Sequence, residues 1–90
     1  SVTVSLVMSD KGVLLADPEI ALQGIPGTDR EGTPLEDLAR DAVRGTLQSI
    51  PKPRRKDHAM VSEAVKRAVR SAINQAWGKK PVCSVLLTVL

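Results

Sequence analysis

The chain has almost no aromatic residues: Trp77 is alone among 90 residues, and neither Phe nor Tyr occurs. Cohesion must therefore come from Val, Leu, Ile and Ala, each larger aliphatic contributing roughly 1.5–3 kcal/mol when fully buried. The same shortage removes the usual platform for stacking single-stranded bases. Cysteine is just as scarce. Cys83 has no partner in the chain, which excludes an internal disulfide and suits a reducing cytoplasm. With His58 as the only histidine, the chain lacks the several convergent ligands that a metal site needs. No apolar run approaches the ~20 residues of a membrane span, and no signal peptide opens the sequence. A cytoplasmic location is the expectation. No repeat or low-complexity segment is found.

What is present is a single domain's worth of chain, residues 1–90, with a marked charge asymmetry. Residues 1–50 hold eight acids against four bases, a balance of −4. Residues 51–90 hold nine bases against Asp57 and Glu63, a balance of +7. A basic half can mark nucleic-acid contact or serve to pair acidic neighbours.

The clearest structural signal runs from Asp57 to Trp77. Val61, Ala64, Val65, Ala68, Val69, Ala72, Ile73, Ala76 and Trp77 recur at helical spacing, with Glu63, Lys66, Arg67, Arg70 and Asn74 opposite. Asp57 is placed to cap the N-terminus and Gly78 to close the C-terminus in a left-handed conformation.

Before it, Val2, Val4, Leu6 and Met8 alternate with more polar residues, as in a half-buried strand. Ser9-Asp10-Lys11-Gly12 predicts a tight hairpin turn. A second strand is expected from Val13 to about Leu22, interrupted at Asp17-Pro18 and lying at a sheet edge. Thr33-Pro34-Leu35-Glu36 has the form of a capping box. The helix after it buries Leu35, Leu38, Ala39, Ala42, Val43, Leu47 and Ile50, and stops before Pro51. The connector Pro51–Lys56 is proline-stiffened and basic. The last strand, Val82 to Leu90, is apolar on both sides: Cys83, Val85, Leu87 and Val89 share one face, while Val82, Leu86 and Leu90 share the other with Ser84 and Thr88. The second face asks for a cover, so Val82, Leu86, Thr88 and Leu90 are candidate interface residues.

If each helix runs antiparallel to its predecessor, the last strand lies parallel to the first and beside it. The expected fold is α+β, a two-layer ββααβ domain. Its three-stranded mixed sheet has order 2-1-3, with two antiparallel helices on one face. A chain that starts and stops almost inside strands resembles a domain excised from a longer protein, although loss of an initiator Met before Ser1 would look similar.

Catalysis has little support. His58 reads as a solvated first-turn residue and Cys83 as a buried structural thiol, since a reactive thiolate needs an exposed, electropositive setting. Gly27 to Gly32 has phosphate-loop spacing, but Thr33 stands where the lysine should follow and two acids stand where phosphate would bind. Gly24-Ile25-Pro26-Gly27 has the GxxG form of a KH clamp, yet it precedes the first helix instead of separating two helices. The basic residues are the strongest functional signal: Lys52, Arg54, Arg55 and Lys56 in the connector, Lys66, Arg67 and Arg70 on the helix, and Lys79 and Lys80 after it. They are candidates for RNA contact, sequence-independent and salt-sensitive, with a merely solvated charged face as the alternative.

Taken together, these residues resemble the C-terminal domain of ribonuclease J, a metallo-β-lactamase-fold ribonuclease of bacteria. The likeness is carried by the valine-rich opening strand, by Gly12-Val13-Leu14-Leu15-Ala16-Asp17-Pro18-Glu19-Ile20 leading to Gly24, by Leu35-Glu36-Asp37-Leu38, and by Gly78-Lys79-Lys80-Pro81 with the final strand. The family usually has an aromatic after the glycine matching Gly24, where this chain has Ile25-Pro26, and often Glu near Thr88. The resemblance implies a parent that degrades RNA from 5′ ends and cuts internally, using two metal ions, usually zinc, held in its metallo-β-lactamase domain. This chain would then be a non-catalytic accessory domain with no cofactor of its own. Its implied partners are the catalytic domains of the same parent, further copies of it as a homo-oligomer, and RNA. A KH-like RNA-binding module, using the 52–56 loop and the 57–77 helix, is the alternative expectation.

Overall fold

A computed structural model describes residues 1–90. The elements run β1 (Val2–Met8), β2 (Glu19–Leu22), α1 (Leu35–Ser49), a 3₁₀ turn (Lys52–Lys56), α2 (His58–Trp77) and β3 (Cys83–Val89). The sheet order is β2-β1-β3. β1 pairs antiparallel with β2, Val4 opposite Ile20, and parallel with β3, Val4 opposite Val85. This is the α+β arrangement that the hydrophobic periods predict. No helix is long and apolar enough to cross a membrane.

Strict alternation along β1 decides which way the sheet faces. Val2, Val4, Leu6 and Met8 are all buried, whereas the residues between them are only half-buried. Val61, Val65, Val69 and Ile73 form the buried ridge of α2, and Leu35, Ala39, Val43 and Leu47 that of α1. These twelve, with Ile50 and Cys83, make one continuous core of 14 residues. The alanines at 64 and 76 of α2 flank the ridge and are half-buried, which suits close helix packing.

The ends of α2 form as the sequence predicts. The Asp57 Oδ1 accepts from the Met60 backbone N–H at 3.1 Å, and Gly78 adopts φ 83° with its N–H on the Asn74 carbonyl. The hairpin turn also forms, with Gly12 at φ 84° and its N–H on the Ser9 carbonyl.

Two local expectations are corrected. The second strand breaks at Asp17-Pro18 as expected, but the part before the break is not a strand: Leu14 makes one isolated bridge to Met8, and β2 proper is only Glu19–Leu22. Pro18 brings no N–H to the ladder. The segment turns instead toward α1, where the Pro18 carbonyl accepts from Arg40 Nε at 3.2 Å and Asp17 pairs with Arg44 at 3.0 Å. The capping box does not form either. Pro34 is the N-cap and no side chain caps the helix. Glu36 is therefore only the second helical residue, and its carboxylate binds Arg40 Nη2 at 2.7 Å. Asp29 closes the preceding loop instead, its Oδ1 accepting from the N–H groups of Glu31 and Thr33, both at 2.9 Å.

Val69 is fully enclosed, and no buried polar side chain lies in the core to receive a charge. Val69→Asp is expected to cost more than about 4 kcal/mol and abolish the cooperative urea transition followed by circular dichroism. Arg70→Ala, one residue on and exposed, should stay within about 0.5 kcal/mol of the parent.

Candidate interaction surfaces

Both helices cover the inner face of the sheet, so the outer face is left open. Register assigns its residues. The Val13 carbonyl accepts from the Ser9 N–H, and the Leu15 N–H donates to the Val7 carbonyl, both at 2.8 Å. With Leu14 bridged to Met8 on the core side, Val13 and Leu15 fall on the outer side beside Ser9 and Val7. From β3, Leu86 lies opposite Ser5 and Thr88 opposite Val7, and Leu90 continues the same face. Val13, Leu15, Leu86 and Leu90 are 58%, 50%, 60% and 74% exposed, well above what isolated aliphatic side chains need. They gather with Val7 at one end of the sheet, and Glu19 lies on the same face at the β2 edge. Val82 is 74% exposed at the opposite end, beyond Ser84.

The predicted interface residues Leu86, Thr88 and Leu90 are thus joined by Val7, Val13 and Leu15, which the sequence reading passed over. The hairpin turn at Ser9–Gly12 was the usable signal. A tight turn there fixes the register, and the register puts Val13 and Leu15 beside Ser9 and Val7.

The predicted basic residues separate into groups. Arg55 is tied into the fold. Its Nε donates to the Ile50 carbonyl at 2.8 Å, near the C-terminal end of α1, and its backbone lies against Gly12. His58 sits in the same corner, its Nε2 3.3 Å from the Ser9 carbonyl. Lys52, Arg54 and Lys56 are exposed around this 3₁₀ turn. Lys79 places its Nζ 5.4 Å above the ring centroid of Trp77, which is half-buried against the core. Lys66, Arg67, Arg70 and Lys80 come together on the α2–β3 side, where Arg67, Arg70 and Lys80 line one concavity and Lys66, Arg70 and Lys80 the next.

The opposite side of the molecule is different. Asp17, Glu19, Asp37 and Asp41 share a concavity of about 740 Å³ with Arg40 and Arg44. Arg40 binds Glu36 and Asp37 at 2.7 and 3.2 Å, and Arg44 binds Asp17 at 3.0 Å. The hydrogen bond that Arg40 donates to Glu36 raises the Arg40 pKa above its ordinary value. Charges on this side compensate one another.

Cys83 is buried beneath Lys66 and Arg70. Burial pushes its thiol pKa up, and the two cations pull it partly back. No group of three or more His, Cys, Asp and Glu side chains is placed to hold a metal ion. The donors of this chain do not fit the pair of zinc ions implied for the catalytic part of the family.

These features define a small two-layer α+β domain that offers surfaces: one open apolar sheet face and one cluster of cations. A family model for the ribonuclease J C-terminal domain matches residues 1–89, and the chain belongs to that family. Ribonuclease J of Sinorhizobium meliloti (strain Sm2011 / Rm2011 / 2011) is 51% identical over 87 residues, which cover 97% of this chain and 15% of that protein. The chain therefore spans less than a sixth of the curated relative it matches.

Gly12 and Cys83 each carry a test. A Cβ on Gly12 would overlap the Cβ and carbonyl of Arg55, at a φ of 84° that side chains resist. Gly12→Ala should cost about 1–3 kcal/mol, read as a lower urea midpoint. The folded-state pKa of Cys83 lies above its unfolded value, so the unfolded chain gives up the proton first. Its stabilising effect is full below about pH 8 and is lost as pH climbs through the thiol range. Cys83→Val should flatten that decline in urea titrations, and the native thiol should resist a disulfide reagent until the chain unfolds.

Proposed function

We propose that this chain is the C-terminal accessory domain of a ribonuclease J-like RNA-degrading enzyme and acts as its assembly module. Catalysis, with the two zinc ions of a metallo-β-lactamase domain, is assigned to the rest of the parent. Exonucleolytic and endonucleolytic cutting of cytoplasmic RNA would take place there. The observation that carries the assembly reading is the open sheet face with Leu15, Val13, Leu86 and Leu90 clustered at one end. Exposed apolar clusters of this kind are stabilised by a covering surface. The cover is either the same face of a second copy or the catalytic part of the parent. RNA contact is the second strand of the reading, supported by the cations of the α2–β3 side, three on α2 and Lys80 just beyond it, none of them in the apolar cluster at the other end of the sheet.

Sedimentation velocity tests the assembly role. The 90-residue chain should self-associate or co-sediment with a parent enzyme lacking it, and Leu86→Glu with Leu90→Glu should abolish both. A strictly monomeric chain that ignores the truncated parent, together with an enzyme unaffected by the deletion, would refute the role.

A further inference from the structure

Four cations converge beside the α2–β3 connection with no carboxylate in ion-pair contact, Glu63 on the preceding turn of α2 included. Lys66, Arg67 and Arg70 come from one side of α2, and the left-handed turn at Gly78 brings Lys80 back alongside. None of the four has a carboxylate within 4.0 Å, since every ion pair in the molecule involves Arg40 or Arg44. Like charges at i and i+4, as in Lys66 and Arg70, destabilise a helix unless something neutralises them. The α1 side shows the contrast: its arginines are each held between carboxylates.

The cations line concave surface. One depression of about 300 Å³ is walled by Arg67, Arg70, Ser71, Asn74 and Lys80. Every one of those side chains carries a hydrogen-bond donor, and none is acidic. A second, of about 260 Å³, is lined by Lys66, Arg70 and Lys80 with the start of β3. Arg70 and Lys80 belong to both, so the two depressions are adjacent and share their charges.

We propose that this groove binds the phosphodiester backbone of single-stranded RNA, with successive phosphates in the two depressions. The proposal rests on the reading that the chain is carried by an RNA-degrading enzyme. Planar guanidinium groups match phosphate oxygens in pairs, and Ser71 and Asn74 supply the neutral donors that backbone contacts commonly use. Adjacent sites that share cations suit a polymer whose charges repeat at short intervals. Trp77 is half-buried with Lys79 above it, so no free ring stacks a base. The groove therefore reads phosphate and not sequence. The exposed cations of the 3₁₀ turn lie outside both depressions and are not part of the site.

The test is fluorescence anisotropy of a labelled oligouridine with the 90-residue chain across a potassium chloride series. Binding should weaken with salt at a slope of about −0.7 per phosphate neutralised. Arg70→Gln with Lys80→Gln should lower affinity about tenfold or more and flatten the slope by about 1.4. Lys52→Gln with Arg54→Gln should change neither. Unchanged thermal midpoints show that each variant is folded, and unchanged sedimentation shows that the assembly role is intact. Wild-type binding by the groove variant overturns the site. Equal loss in the 3₁₀-turn variant overturns it as well. If polyglutamate binds as tightly as oligouridine, the occupant is an acidic protein and the RNA assignment fails.

Discussion

The contact between the valine ridge of α2 and the inward face of β1 holds the rest of this structure in place. Val61, Val65, Val69 and Ile73 meet a strand whose alternate residues, Val2, Val4, Leu6 and Met8, are at most 1% exposed. With no Phe or Tyr to span a wider gap, helix and sheet must approach closely, and a ridge of β-branched residues flanked by alanines permits that. Close approach leaves no room for polar groups, and none is buried without a partner. The parallel pairing of β1 with β3 follows, because two antiparallel helices carry the chain across the sheet to the edge of β1 opposite β2.

Placing both helices on one side has a cost on the other. The outer sheet face stays uncovered, and the residues it shows are not uniformly polar. Leu15, Val13, Leu86 and Leu90 concentrate at the end of the sheet where the hairpin turns and β3 finishes. At the opposite end the face is mostly small and hydroxylated, with Thr3 and Ser84 side by side. A protein contact would therefore be localised, with a polar margin around an apolar centre, as interfaces usually are.

Charge is partitioned as sharply as hydrophobicity. The α1–β2 side pairs its arginines with carboxylates, while the α2–β3 side collects cations without partners. What this domain of the ribonuclease J C-terminal family presents to its surroundings is therefore two separate surfaces, one apolar and one cationic. Self-repulsion on the cationic side is tolerable because those side chains are largely solvated and screened.

The sequence by itself determined the element order, the buried stripe of α2, the Asp57 and Gly78 caps and the 2-1-3 sheet. Each follows from local spacing or from the few connections a short chain allows. It also determined that Leu86 and Leu90 would lie away from Cys83, because strand alternation admits no other outcome. Only the tertiary structure decided the rest. Thr33 and Glu36 spell a capping box, yet Pro34 takes the cap position and Arg40 takes the carboxylate, a competition between neighbours that no local pattern contains. Nine basic residues look equivalent in a list. Their differences arise from partners far away in the chain: Arg55 is drawn to Ile50 and pressed against Gly12, Lys79 covers Trp77, and Lys80 reaches Arg70 only after the chain has turned. Burial and charge pairing are properties of the assembled surface, so the candidate site could be read as a composition beforehand but located only once α2 and β3 lay side by side.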